Sequence, residues 1–196
     1  MRFLIYFICI SLFFSCGGHT DRPDVSNIQI ELTTKRFEQD FFSLDTNKLK
    51  EQADPLIARY TDFGENFLGT ILNVDPKWSQ DTTAQYLNSF IRAYRPLYDT
   101  TIELFGDFSP YEAAIKKGLQ YFTYYFPNYN VPKKIITYIG PPDGFGYILL
   151  KDAWMIGLQQ HLGRDALLYK QPWLQETYPP YISYRFCPEY IPVNCM

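Results

Sequence analysis

Two histidines, His19 and His161, are all the imidazole that this 196-residue chain contains. His161 stands in Gln159-Gln160-His161-Leu162-Gly163-Arg164-Asp165, where a cation and a carboxylate follow an imidazole that can exchange protons near neutral pH. A zinc hydrolase of the common kind needs two or three nitrogen ligands and a general base, often as His-Glu-x-x-His on a helix. The chain has no such motif, no Gly-x-Ser-x-Gly elbow and no Gly-x-x-x-x-Gly-Lys phosphate loop. Gly144-Phe145-Gly146 lacks the third glycine and the following helix of a dinucleotide loop, so it reads as a hairpin turn. Glu38, Asp40 and Glu189 could divide acid and base work between them, but nothing in their spacing brings them together. A hydrogen-bonded structural role is therefore the favoured reading of His161. No catalytic set, metal or other cofactor is expected.

The four cysteines carry more information. The N-terminus runs Met1-Arg2, an apolar stretch from Phe3 to Phe14, then Ser15-Cys16-Gly17-Gly18. One positive charge, an apolar run too short to span a bilayer and small residues at its end make a secretory signal. Cys16, preceded by Leu12-Phe13-Phe14-Ser15 and followed by Gly17, resembles the bacterial lipoprotein cleavage box. That resemblance implies removal of residues 1–15, diacylglycerol on the Cys16 sulfur and a further acyl chain on its amine. Two or three chains hold a protein on a membrane where one would not. Residues 16–24 then form a lipidated tether, with the folded domain over 25–196. Gly17-Gly18-His19-Thr20 lacks the acidic residues of known surface-export signals, which points the domain to the periplasm. Cys9 leaves with the signal. Cys187 and Cys195, eight positions apart, either form a disulfide in that oxidising compartment or remain buried thiols.

Composition sets the remaining limits. Hydrophobic residues make up 46% and charged residues 20%, enough to bury a core. A net charge of -3 offers no surplus for neutralising phosphates, so nucleic acid is not an expected partner. Aromatic residues reach 18%, and most of them must be packing. Trp154 and Trp173 are the rings that a sugar-binding surface would expose.

The elements that must position these residues follow from periodicity. Alternation at Ile28, Ile30 and Leu32 predicts a strand over 25–32. The stretch 36–42 reads as a sheet edge or docking loop. Helical spacing marks 45–60, with Pro55 as a weak point. A second helix carries Leu87, Phe90, Ile91, Tyr94 and Tyr98 behind N-cap candidates Asp81, Thr82 and Thr83. Ser109-Pro110-Tyr111-Glu112 is a capping box opening a third helix, which Pro127 ends. Strands are predicted over 133–139, 145–150 and 153–158, with a Gly-Pro-Pro-Asp-Gly turn after the first. From Tyr169 to Pro192 the chain reads as extended segments with a short helix near 172–176. The expected fold is α+β, several amphipathic helices packed on a small, mainly antiparallel sheet.

Five stretches in order carry a family resemblance: the box at Cys16, residues 36–42, the run Tyr121-Phe122-Thr123-Tyr124-Tyr125-Phe126-Pro127-Asn128-Tyr129, residues 156–163, and 178–191. Together they resemble the gliding motility-associated lipoprotein GldB family of Bacteroidetes. The resemblance implies a lipid-anchored envelope protein; of the two membranes the outer is favoured over the inner, without the sequence assigning either. Its partners are then membrane lipid through acylated Cys16 and other envelope or gliding proteins, in organisms where that machinery overlaps with type IX secretion. Members are typically longer, so a truncated member is expected, with a C-terminal part of the domain missing. A distant likeness to zinc peptidases leaves a degenerate or metal-dependent hydrolase as one alternative, and an envelope sugar-binding lipoprotein as another.

Overall fold

A computed structural model describes residues 22–177 and 187–194. The expected signal 1–15, Cys16, residues 17–21 of the tether, the segment 178–186 and Cys195 lie outside the described residues.

Four strands form one sheet: β1 (Thr33–Arg36), β2 (Lys134–Tyr138), β3 (Tyr147–Leu149) and β4 (Ala153–Gly157), in the order β1-β2-β4-β3. β1 runs parallel to β2 and β2 parallel to β4, and only β3 is antiparallel to its neighbour. The α+β class holds, but the sheet is mixed and mostly parallel rather than mainly antiparallel. The cause lies in the connections. The helical region between β1 and β2 supplies the long crossover that a parallel pair requires. The turn after β2 does not close a hairpin onto β3. β3 instead turns through Lys151 and Asp152 into β4, with the Leu150 N–H donating to the Ala153 carbonyl at 2.9 Å, and β4 slots between β2 and β3.

The expected strand at 25–32 is displaced to Thr33–Arg36. Ile30 and Leu32 are buried, so the alternation was real, but it records one-sided burial. The Ile28 carbonyl finds the Gln120 side chain at 2.8 Å instead of a neighbouring strand. The expected edge or loop at 36–42 is α1 (Phe37–Phe42), and Phe37, Phe41 and Phe42 are among the most buried rings in the molecule.

Helix α2 (Leu49–Arg59) keeps Pro55 inside it on the solvent side, where a lost backbone donor is least costly. It is followed by α3 (Thr61–Asn66) and a single π turn at Phe67–Ile71. Helix α4 (Gln80–Phe105) is capped by Ser79, two residues before the first predicted cap Asp81, with Ser79 Oγ accepting from the Thr82 N–H at 3.1 Å. In α5 (Ser109–Tyr125) Pro110 sits in the first turn as predicted. The capping box itself does not form: Asp107 accepts from both the Ser109 N–H and the Ser109 hydroxyl, taking the capping role. Short helices α6 (Pro172–Thr177) and α7 (Tyr190–Asn194) follow.

Side chains alternate across β2 and β4, and so feed two cores. Ile136, Tyr138, Ala153 and Met155 join Phe37, Phe41, Phe63, Phe67 and Phe90 under α1 to α4. Ile135 and Ile156 join Ile30, Leu32, Ile115, Leu119 and Leu162 on the α5 side. Helix α4 serves both, with Leu87 and Ile91 in the first core and Phe105 in the second.

Candidate functional site

The residues singled out for chemistry are separated and individually occupied. His161 is buried, with Nε2 2.7 Å from the Tyr147 hydroxyl, while Arg164 and Asp165 are exposed. Burial holds its imidazole down at about 4, a little opposed by the Cys187 backbone facing the ring. A buried ring held by the Tyr147 hydroxyl is placed to position the chain around it. Its neighbours behave alike: Gln159 accepts from the Gly140 N–H at 3.1 Å and donates to the Phe145 carbonyl at 3.2 Å. Gln160 donates to the Gly144 carbonyl at 2.6 Å. Tyr169 donates to the Gln159 carbonyl at 2.7 Å and accepts from the Leu162 N–H at 3.0 Å. This segment clamps the 140–146 turn to the sheet, and a Cβ on Gly146 would strike the Gln160 amide, so that glycine is required by the clamp.

Glu38 and Asp40 do not act as a pair. Glu38 is enclosed, taking a 2.6 Å ion pair from Arg36 Nε and a 2.7 Å hydrogen bond from the Thr137 hydroxyl. Burial pushes its carboxyl above the ordinary range, and Arg36 and Thr137 pull it back. The Arg36 guanidinium also stacks over Phe108, tying β1 to the corner between α4 and α5. Asp40 accepts from the Tyr60 hydroxyl at 2.8 Å and meets Arg59 at 3.5 Å. Glu189 is exposed beside α7. Cys187 is buried, and its expected partner Cys195 lies outside the described residues. Trp154 is half-buried against the second core, whereas Trp173 is 46% exposed. Among the described residues no group of three or more His, Cys, Asp or Glu side chains is placed to hold a metal.

What the structure does assemble is a basic cleft of about 480 Å³ on the α2–α3 side of the sheet. Lys35 comes from β1, Arg59 from the end of α2, Lys134 from the start of β2 and Lys151 from the β3–β4 turn, facing Glu65 and Asp152. The register explains the gathering: Lys35 lies opposite Ile136, Lys134 opposite Ala153, so both lysines fall on one face. Lys35 stacks over the Tyr60 ring at 5.4 Å. Among the described residues no carboxylate pairs with Lys35, Lys134 or Lys151. Cations converging on an open recess attract carboxylate or phosphate groups and speed their encounter. Sequence reasoning missed this cleft because its cations are scattered over four separate segments.

A second surface lies on α5. Tyr124, Tyr125, Phe126 and Tyr129 are each at least half exposed, beside an apolar recess of about 200 Å³ that includes Phe122 and Trp154. Among the described residues no helix is long and apolar enough to cross a membrane.

Comparison with known proteins gives one match. The family model described as gliding motility protein GldB fits residues 18–196, nearly the whole chain. No curated protein and no solved structure matches it.

Proposed function

The chain belongs to the GldB family of gliding motility proteins, and on that premise we propose that it is a lipid-anchored envelope component that works by docking to other gliding proteins, not by catalysis. Acylated Cys16 fastens it to the membrane, residues 16–24 are the tether, and the domain faces the periplasm from the outer membrane. The observation that carries this reading is the family match, which spans the domain and begins two residues after Cys16.

The basic cleft supports docking in particular. Lys35, Lys134 and Lys151, with no carboxylate partner among the described residues, line one cleft in a chain of net charge -3, and they suit an acidic segment of an envelope partner. A charged rim of this kind governs encounter rate and partner choice more than the depth of binding. A photo-crosslinking side chain in place of Lys151, in the full chain in cells, tests it. The reading expects one discrete adduct, lost when Lys35→Glu and Lys134→Glu are added. Adducts no different from those of the same probe at exposed Asp75 would refute docking through the cleft.

A further inference from the structure

We propose that the C-terminal end of α5 rests on the phospholipid surface, so that the aromatic face orients the anchored domain. This rests on the lipid-anchor reading above. Arg22, the first described residue, and Pro23 line one surface recess together with Lys117, Tyr121 and Tyr125 of α5. The chain therefore enters the fold beside the exposed rings. Five residues lie between Cys16 and Arg22, a span of at most about 22 Å when fully extended. An anchor at Cys16 thus holds Arg22, at the edge of the recess it shares with α5, within about 22 Å of the lipid, less than the roughly 30 Å width of a small folded domain.

The chemistry of the face fits that neighbour. Tyr124, Tyr125, Phe126 and Tyr129 are 50%, 60%, 57% and 55% exposed. Their rings are apolar with, in the tyrosines, a hydroxyl that stays wet, the type enriched where membrane meets water. Residues 116–133 contain three lysines and no carboxylate, within an acidic chain. Lys116, Lys117 and Lys133 in that stretch are exposed. Lysines flanking interfacial rings are attracted to anionic headgroups. A protein partner on the same face would have to enter from the side, between the rings and the bilayer.

The test uses the full acylated chain in phosphatidylethanolamine–phosphatidylglycerol vesicles carrying brominated acyl chains. A fluorescent amino acid replaces either Tyr125 or, as the distant position, Asp75. The label at 125 should be quenched about twofold or more, as expected for a group seated at the headgroup–acyl boundary, and the label at 75 should not. Lys116→Glu with Lys117→Glu should weaken the quenching at 125. Protein that floats with the vesicles but shows equal, weak quenching at both positions overturns the proposed orientation while leaving the anchor intact. Protein that fails to float overturns the anchor, and this orientation with it.

Discussion

The two sides of the sheet use aromatic residues in opposite ways. Under α1 to α4 the rings are inside: Phe37 touches Phe41, Tyr60, Phe63 and Phe67 with ring centroids 4.6 to 5.5 Å apart, and the charges line the cleft outside. On the α5 side the enclosed residues are largely aliphatic, and Tyr124, Tyr125, Phe126 and Tyr129 at and just beyond the end of α5 lie on the outer surface. A high aromatic content therefore answers two different demands in one domain. Buried rings supply area and edge-to-face contacts that stabilise the fold. Exposed rings are present at a cost in solubility, which makes them the part of the surface most in need of a partner.

The largest expected effect separates the two classes of ring. Phe37→Ala should destabilise the domain by about 4 kcal/mol, as fully enclosed rings do, read from the shift of a chemical denaturation midpoint. A loss below about 1 kcal/mol would show that the first core is not packed as described.

Next comes a pH effect confined to the second side. His161 is held at about 4 against an ordinary 6.5. Above pH 6.5 the ring is neutral both folded and unfolded, and it costs nothing. Between pH 6.5 and 4 the unfolded chain alone takes up the proton, so stability falls, on the order of 3 kcal/mol by the lower end. His161→Gln should flatten that portion of the stability profile relative to the parent. An unchanged slope in the variant would mean that the ring is not enclosed.

Smaller effects distinguish the two surfaces. Lys35→Glu, at an exposed position, should leave stability within about 0.5 kcal/mol, as substitutions at exposed positions usually do, while weakening adduct formation from the crosslinking side chain at position 151. Tyr125→Ser should be the mildest of all in solution, again within about 0.5 kcal/mol in denaturation. A large loss of stability there would place that ring in the fold's own packing, not on its working surface.

Local patterns in the sequence were reliable where one segment decides its own structure. The stripe Leu87, Phe90 and Ile91 is buried on α4, Pro110 opens α5, and the strands near 134–138 and 153–157 form as their β-branched and apolar runs suggest. Pairing was not legible, because the direction of β2 against β4 depends on which strand inserts, and the strong turn at 140–144 suggested a hairpin that does not form. Arg36 to Phe42 misled for a related reason. Its alternation of charge and ring looks like a surface, yet Arg36 and Glu38 neutralise each other inside while the phenylalanines face the core. The cleft was invisible for the same cause as the sheet order: Lys35, Lys134 and Lys151 become neighbours only after the register is set.

Both surfaces acquire their proposed meaning from the proposed lipid attachment at Cys16. Metabolic labelling with an alkyne fatty acid, followed by intact mass of the purified protein, tests that attachment most directly. The account predicts a chain beginning at residue 16, heavier by its acyl groups, with all label lost in Cys16→Ala. An unmodified N-terminus, or label that persists in Cys16→Ala, would contradict it.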